Sequence, residues 1–137
     1  MIKNTLQHVQ RITIPKIADI RGNLSVIEKE TIPFSIHRGY YLSDVPGGSY
    51  RGGHAHTTLT QFLIALSGSF NVVLHDGLEQ RTITLNRPDE GLLIPTGIWR
   101  ELDNFSSGSV CLVLASEVFN EGDYIRDFDR FLAMKSR

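Results

Sequence analysis

The 137-residue sequence has few of the features that mark secreted, membrane or nucleic-acid-binding proteins. Its one cysteine, Cys111, allows no internal disulfide, and the apolar run around it predicts a buried, unreactive thiol. No apolar stretch could span a bilayer and none of signal-peptide length follows Met1, so we expect a cytoplasmic protein without a membrane partner. Fourteen Lys and Arg against fifteen Asp and Glu leave no basic excess, which argues against a nucleic-acid partner.

Short β-like runs separated by turn residues fill most of the sequence, and no repeat or linker interrupts them. Asp76-Gly77 predicts a hairpin between two of these runs. Near the C-terminus, apolar residues from Tyr124 to Leu132 recur at helical spacing, which predicts one helix capped by Asn120 or Asp123. The pattern therefore predicts a single all-β domain over 1–137, a sandwich or barrel with one short C-terminal helix. The predicted strands are 11–14, 24–28, 36–43, 60–66, 70–75, 81–85, 91–94, 98–102 and 109–115.

Two segments resemble the paired motifs of the cupin β-barrel, a jelly-roll fold. The segment 48–68 has the spacing of the first motif, with His54 and His56 in place and Gln61 where that motif usually has Glu. The segment 95–104 has the spacing of the second motif, with Arg100 where that motif usually has His. Because both spacings agree in the expected order, we expect a cupin fold.

The two substitutions change the chemistry that these motifs usually carry. His54 and His56 are two apart on a predicted strand, so both face the barrel interior. Gln61 brings no charge to a metal, and Arg100 is a fixed cation that repels one, so we predict no metal and no other cofactor. Histidine can move a proton near neutral pH, and arginine can hold a phosphate or an enolate oxygen. The alternative is that the histidines are a hydrogen-bonded core pair.

Three further segments make the resemblance closer than the superfamily. The segments 33–41, 51–56 and 116–129 look like those of the dTDP-sugar 3,4-ketoisomerases, and the similarity extends from about Asp19 to Phe131. This resemblance implies that dTDP-4-keto-6-deoxyglucose is converted to a 3-keto sugar, which an aminotransferase then uses in deoxyamino-sugar biosynthesis for surface polysaccharide. It also implies a cytoplasmic homodimer without a metal.

The same resemblance assigns roles to individual residues. His54 is the leading candidate for the base that shuttles the proton, and His56 is a second acid–base or orienting group. Tyr40 matches a family tyrosine close to the sugar, and Arg51 an arginine that would hold the pyrophosphate or the enediolate. Arg38 lies two residues before Tyr40, so strand alternation puts both on one face, and we assign Arg38 to substrate binding.

Arg100 is the position at which this sequence departs from the family, which usually has His between the equivalents of Trp99 and Glu101. Arg100 either adds a phosphate contact or pairs with Glu101 or Asp103 at the barrel rim. Gln61, in the neighbouring motif, is also assigned to substrate binding.

Two more residues are assigned to substrate binding. Trp99 is either a core aromatic or a platform for the nucleotide base. Arg21, with Gly22, resembles the turn of the family branch whose product has the galacto configuration, although the sequence leaves the configuration at C4 open.

Three other functions fit part of the pattern. A dTDP-4-keto-6-deoxyglucose 3,5-epimerase shares the barrel, the ligand class and the proton chemistry. A metal-dependent cupin oxygenase shares the fold but is disfavoured by Gln61 and Arg100. A non-catalytic cupin that binds a sugar nucleotide is kept open by Arg100 in place of histidine.

Overall fold

The computed structural model describes residues 3–136, and most of its regular structure is short strands. The strands are β1 (Gln10–Thr13), β2 (Lys16–Ile17), β3 (Leu24–Ser25), β4 (Arg38–Ser43), β5 (Arg51–His56), β6 (Gln61–Ser67), β7 (Phe70–His75), β8 (Gln80–Leu85), β9 (Glu90–Ile94), β10 (Trp99–Asp103), β11 (Val110–Ala115) and β12 (Tyr124–Ile125). Three short 3₁₀ helices span Leu6–His8, Lys29–Thr31 and Glu121–Asp123, and one α-helix, α1, spans Phe128–Lys135.

Two five-stranded antiparallel sheets form the barrel. The first sheet has the order β1-β9-β6-β11-β4, and the second has the order β12-β5-β10-β7-β8. Strands β2 and β3 form a separate two-stranded hairpin. This arrangement confirms the all-β, cupin-type jelly roll with one short C-terminal helix that the motifs predicted.

Apolar side chains from both sheets meet between them and form the main core. In β7, for example, Phe70, Val72 and Leu74 are fully buried while the residues between them are partly exposed. These three pack with Leu63 of the first sheet and Leu92 of β9. Because side chains alternate across a strand, the same periodicity puts the polar residues of the site on the inner face at one end of the barrel.

The outer faces of both sheets are covered in part. On the first sheet, Phe62 and Ile64 pack against Ile32 in the segment before β4. On the second sheet, α1 covers the outer face, where Phe131 packs with Trp99. In the part of the chain that the structure describes, no helix meets the length and hydropathy needed to cross a membrane.

The local predictions for the hairpin and the thiol are confirmed. Asp76 accepts hydrogen bonds from the backbone N–H groups of Leu78 and Glu79, and Gly77 adopts a φ of 102° that favours glycine. Cys111 is fully buried, and burial raises the pKa of its thiol to about 12.

The predicted start of the C-terminal helix was wrong. The helix begins at Phe128 and is capped by Asp127, whose carboxylate accepts from two backbone N–H groups of the first turn. Tyr124 and Ile125 are instead strand β12, because they pair with His56 and Ala55 of β5. Neither predicted cap has that role: the Asn120 side chain caps the 3₁₀ helix at 121–123, and Asp123 is bound elsewhere.

A matched pair of leucines tests the core. Leu74→Ala removes a fully buried side chain from between the sheets, and we expect a loss of about 2–5 kcal/mol in the free energy of unfolding. Leu78, in the β7–β8 turn, is 92% exposed, so Leu78→Ala should change stability by no more than about 0.5 kcal/mol. Urea denaturation of the two variants measures the difference. Equal losses would contradict the assigned core.

Candidate functional site

A cavity of about 310 Å³ opens at one end of the barrel, between the two sheets. The first sheet contributes Arg38, Tyr40 and Gln61, and the second contributes residues from β5, β10 and β12 together with the arginine that follows β12. Four of the lining residues are arginines, and none is an aspartate or a glutamate. The full lining comprises Arg38, Tyr40, Leu42, Arg51, Gly52, His54, Gln61, Leu63, Arg100, Leu102, Val113, Tyr124 and Arg126.

A β-bulge in β5 sets the direction of the side chains on that strand. His54 pairs with Arg100 and Arg51 pairs with Leu102, so three steps along β5 match two steps along β10. The bulge needs Gly52, whose φ of 84° lies in the region that favours glycine. As a result, both Arg51 and His54 line the cavity although they are an odd number of residues apart.

His54 and His56 lie at different depths. His54 lines the cavity, whereas His56 is fully buried behind it, with the two ring centroids 4.7 Å apart. The Tyr124 ring lies against both, with centroids 5.0 Å from His54 and 4.4 Å from His56. Only His54 of the two histidines can therefore touch a ligand in the cavity.

Asp123 anchors the deeper histidine. Nδ1–H of His56 donates to the Asp123 carboxylate over 3.0 Å, which leaves Nε2 as the unprotonated nitrogen of the neutral ring. The same carboxylate accepts hydrogen bonds from the backbone N–H and the hydroxyl of both Thr57 and Thr58 and from the backbone N–H of Leu59. Although burial opposes its ionisation, the bonds from Thr57 and Thr58 lower the pKa of Asp123 to about 2.

Burial and positive charge keep both imidazoles neutral. Burial lowers the pKa of His54 to about 2, and the nearby charges of Arg100 and Arg126 act in the same direction. Burial and Arg100 lower the pKa of His56 to about 3, against the opposing effect of Asp123. At neutral pH His54 is therefore an unprotonated imidazole able to accept a proton.

Arg100 is the least expected member of the site, because its long cationic side chain is only 2% exposed. Its Nε and Nη2 donate to the backbone carbonyl of Ile98, and its Nη1 donates to Oε1 of Gln61 over 2.6 Å. Nε2 of Gln61 in turn donates to the hydroxyl of Tyr40 over 3.2 Å. Burial lowers the pKa of Arg100 to about 10 and raises that of Tyr40, so both remain protonated at neutral pH.

The remaining arginines surround the mouth of the cavity. The Arg38 guanidinium lies 4.5 Å above the Tyr40 ring and donates to the Tyr124 hydroxyl. The Arg126 guanidinium lies 4.2 Å from the centroid of the Tyr124 ring and forms a bidentate ion pair with Glu121. Arg51 is exposed at the start of β5.

Two residues assigned to substrate binding lie away from this cavity. Trp99 precedes Arg100 on β10, so its side chain points to the opposite face of the sheet and packs on Phe128 and Phe131 of α1. Arg21 lies in the turn of the β2–β3 hairpin, where it is exposed and forms an ion pair with Asp19. The structure thus favours the core reading of Trp99 and does not bring Arg21 to the cavity of its own chain.

The donor set of the cavity is poorly suited to a divalent cation. Between 3 and 136, no group of three or more His, Cys, Asp or Glu side chains could hold a metal ion. The positive charge of Arg100 acts on both histidines, and the one nearby carboxylate among the described residues, that of Asp123, is already bound to Nδ1 of His56. The absence of a metal and of other cofactors remains a prediction.

Sequence reasoning missed three residues of the site: Asp123, Tyr124 and Arg126. All three lie in the segment 116–129, which carried the closest family resemblance. Assigning Tyr124 to a helix hid the alternation that a strand imposes. In β12, Tyr124 lies directly opposite His56 and therefore on the same face of the sheet.

The fold and the cavity together define a class: a cupin barrel whose site combines a neutral histidine with arginines suited to an anionic ligand. The chain belongs to the FdtA family, described as WxcM-like, C-terminal, whose model matches residues 7–136.

Three known proteins are similar to this chain over most of their own length. A TDP-4-oxo-6-deoxy-α-D-glucose-3,4-oxoisomerase from Aneurinibacillus thermoaerophilus is 47% identical over 88% of this chain and 87% of its own. A 3,4-ketoisomerase from Helicobacter canadensis is 44% identical, with a TM-score of 0.92 over 95% of this chain and 98% of its own. A His-to-Asn variant of the 3,4-ketoisomerase QdtA from Thermoanaerobacterium thermosaccharolyticum, in complex with TDP-4-keto-6-deoxyglucose, is 41% identical, with a TM-score of 0.94 over 96% of each chain.

Replacing Asp123 tests the anchor of the deeper histidine. Asp123→Asn removes the charge and presents an N–H₂ group to donors, so we expect a loss of about 1–3 kcal/mol in stability at pH 7. Because folding lowers the pKa of Asp123 from about 3.9 in the unfolded chain, its stabilisation is fully present above that value. It is lost as the pH falls toward the folded value of about 2.

Thermal denaturation from pH 7 to pH 2 measures this dependence. The difference in Tm between wild type and Asp123→Asn should narrow below about pH 4, since the unfolded carboxyl protonates there. Glu79→Gln, an exposed carboxylate-to-amide change in the β7–β8 turn, is the control and should leave Tm nearly unchanged. A difference that stays constant down to pH 2 would contradict the role of the carboxylate charge.

Proposed function

We infer that this chain is a sugar-nucleotide 3,4-ketoisomerase that converts TDP-4-keto-6-deoxyglucose to a TDP-3-keto-6-deoxyhexose by proton transfer. The observation that carries this inference is a neutral His54 facing a cavity lined by four arginines. The reaction needs both parts, a base for the proton next to the ketone and cations for the diphosphate. The oxoisomerase from A. thermoaerophilus and the substrate complex of QdtA support the same substrate.

The arginines account for recognition of the nucleotide. A diphosphate is an anion that guanidinium groups bind through charge-assisted hydrogen bonds. Arg51 and Arg126 are exposed at the mouth of the cavity, so they can meet the diphosphate while the sugar lies deeper. We propose Arg38, which lies over Tyr40, as a further contact.

We propose that His54 moves the proton. The 4-keto group acidifies the proton on C3; His54 removes it, the C–H electron pair becomes the C3–C4 double bond, and O4 gains the negative charge. Tyr40 stabilises this oxyanion, since Arg51 meets the diphosphate at the mouth of the cavity. A proton then passes from O3 to the O4 oxyanion, so that O4 becomes a hydroxyl and O3 carries the negative charge. The protonated His54 gives its proton to C4, where the electrons of the C3–C4 double bond form the new C–H bond, and the electron pair on O3 forms the C3 ketone.

Bound substrate makes His54 a stronger base. Positive charge from Arg100 and Arg126 contributes to the low pKa of His54 in the free protein. A diphosphate beside the arginines offsets this charge, and the pKa of His54 should rise when substrate binds. His56 serves as the orienting group, because Asp123 holds it and it does not line the cavity.

Exchange with deuterated solvent tests the base. Incubating the wild type with TDP-4-keto-6-deoxyglucose in deuterated water should give a 3-keto product with deuterium at C4, which NMR detects. His54→Asn should lower the rate of deuterium incorporation by a factor of about 10²–10⁴, because a general base is removed. TDP affinity and Tm should stay close to wild type. Unchanged exchange in this variant would exclude His54 as the base.

The same NMR experiment separates the two remaining alternatives. A 3,5-epimerase would introduce deuterium at C3 and C5 and leave the ketone at C4. A non-catalytic binding protein would bind TDP without any incorporation. Identity above 40% to 3,4-ketoisomerases over almost the whole chain favours isomerisation.

We also propose the biological setting implied by the chemistry. A ketone at C3 of a nucleotide-linked deoxy sugar is a substrate for an aminotransferase, so the product would feed deoxyamino-sugar biosynthesis for surface polysaccharide. We propose that the protein acts in the cytoplasm, as a single cupin domain over 1–137. The configuration of the product at C4 follows from the same NMR spectrum.

A homodimer is the proposed assembly. Several large apolar side chains are exposed on or next to the strands of the first sheet and the β2–β3 hairpin, and a second copy could cover them. They are Ile17, Ile20, Leu24, Ile36, Tyr41 and Leu66.

Light scattering during gel filtration tests the dimer. We expect a mass of twice the 15.4 kDa of one chain. Tyr41→Glu should shift the mass toward one chain, because it puts a charge on the proposed apolar interface. Leu78→Glu, at a still more exposed position on the β7–β8 turn, should leave the dimer intact. A wild type with the mass of one chain at micromolar concentration would contradict the proposal.

A further inference from the structure

Three side chains form a directed hydrogen-bond chain that ends in the cavity. Arg100 and Gln61 are each only 2% exposed, and both touch the cavity together with Tyr40. Nη1 of Arg100 donates to Oε1 of Gln61 over 2.6 Å, and Nε2 of Gln61 donates to the Tyr40 hydroxyl over 3.2 Å. The chain thus links a buried fixed cation to a tyrosine in the candidate site.

The direction of this chain follows from the chemistry of its first member. A guanidinium has only donors, so the atom that Gln61 presents to Arg100 must be its carbonyl oxygen. The amide N–H₂ is then the group that faces Tyr40, and the tyrosine oxygen must accept. Since a hydroxyl that accepts one hydrogen bond keeps its own proton free, the Tyr40 proton is left to point into the cavity.

One further contact and the burial of the side chain keep Tyr40 oriented and protonated. The Arg38 guanidinium lies 4.5 Å from the centroid of the Tyr40 ring, which restrains the ring. Burial raises the pKa of the hydroxyl, so it stays protonated. Tyr40 is therefore a neutral hydrogen-bond donor with a defined direction.

We propose that Arg100 and Gln61 are positioning residues that fix the Tyr40 hydroxyl as the donor to the O4 oxyanion formed when His54 removes the C3 proton. This proposal rests on the ketoisomerase function proposed above and adds to it a role for the two unusual residues of the cupin motifs. Neither residue needs to touch the sugar to have this effect, because each acts through the next.

The two substitutions in the motifs depend on each other in this arrangement. A glutamate at position 61, which the first motif usually has, would accept from Arg100 and from Tyr40 and would draw the tyrosine proton away from the cavity. A histidine at position 100, which the second motif usually has, can both donate and accept and so would not dictate the orientation of Gln61. With Gln61 and Arg100 together, only one pattern is possible: Arg100 donates to Gln61, and Gln61 donates to Tyr40.

Gln61→Glu reverses the last hydrogen bond with almost no change of shape. The carboxylate keeps its bond to Arg100, so Tm should not fall, but Tyr40 must now donate to Glu. We expect kcat to fall by a factor of about 10²–10³, the usual effect of losing one oxyanion donor. The Kd for TDP should change by less than about threefold, since the nucleotide does not meet this bond. Gln80→Glu, an exposed change of the same charge, should leave kcat unchanged.

A double-mutant cycle with Tyr40→Phe distinguishes positioning from a simple charge effect. If Gln61 acts through Tyr40, Gln61→Glu lowers kcat in the wild type and lowers it no further in the Tyr40→Phe background. If the added charge acts on His54 instead, the two losses multiply. Gln61→Met, which carries no charge and frees the hydroxyl to rotate, should lower kcat about tenfold, again only when Tyr40 is present.

The outcomes separate this proposal from the function on which it rests. Non-additive losses in the Gln61 and Tyr40 variants, with unchanged TDP binding, would support it. Multiplying losses, or a Gln61→Glu variant with near wild-type kcat, would overturn it while leaving the ketoisomerase function intact. A wild type that forms no 3-keto product from TDP-4-keto-6-deoxyglucose would overturn the function itself and this role with it.

Discussion

The site depends on a buried guanidinium, that of Arg100, whose hydrogen bonds all go to uncharged oxygens. Arg100 donates to the carbonyl of Ile98 and to the amide oxygen of Gln61, and in the described part of the chain no carboxylate forms an ion pair with it. Burying a cation without a paired anion is costly, and such groups are rare unless they serve a function. The uncompensated charge adds to the effect of burial in keeping the histidines neutral, and it disfavours a metal and attracts an anion into the cavity.

The two histidines of the first motif share a strand face but do different work, because they lie at different depths. His54 borders the cavity, while His56 is enclosed and tied to Asp123. The Asp123 carboxylate also binds the loop of Thr57 and Thr58, so one side chain orders both the deeper histidine and the turn that follows it. In this layered arrangement the rings of His56 and Tyr124 pack against His54 and restrain it.

The two sheets contribute different chemistry to the reaction. The second sheet supplies the proposed base, His54, and most of the positive charge, whereas the first sheet supplies Tyr40 and Gln61. The substrate would lie between a proton acceptor on one side and a hydrogen-bond donor on the other. The bond from Arg100 to Gln61 joins these two halves from β10 to β6, as does the bond from Arg38 to Tyr124 from β4 to β12.

Much of this could be predicted from local pattern. The hairpin at Asp76-Gly77, most strands, the cupin fold and the inward direction of His54 and His56 depend on turn chemistry, alternation and motif spacing, which neighbouring residues decide. Residue by residue resemblance also singled out Tyr40 and Arg51. By contrast, strand β12 at Tyr124 was not predictable. The apolar residues there have helical spacing, but Tyr124 pairs with β5, almost seventy residues earlier in the chain.

The sequence by itself determined which groups were available. It retains the two histidines of the first cupin motif, and it has a glutamine and an arginine at the positions of the other two usual metal ligands. Only the tertiary structure decided what those groups do. It put Asp123 against His56, turned Trp99 outward onto α1, kept Arg21 away from the cavity and aligned Arg100, Gln61 and Tyr40. The physical reason is that burial, hydrogen-bond direction and charge compensation are properties of contacts between distant segments, which no local pattern specifies.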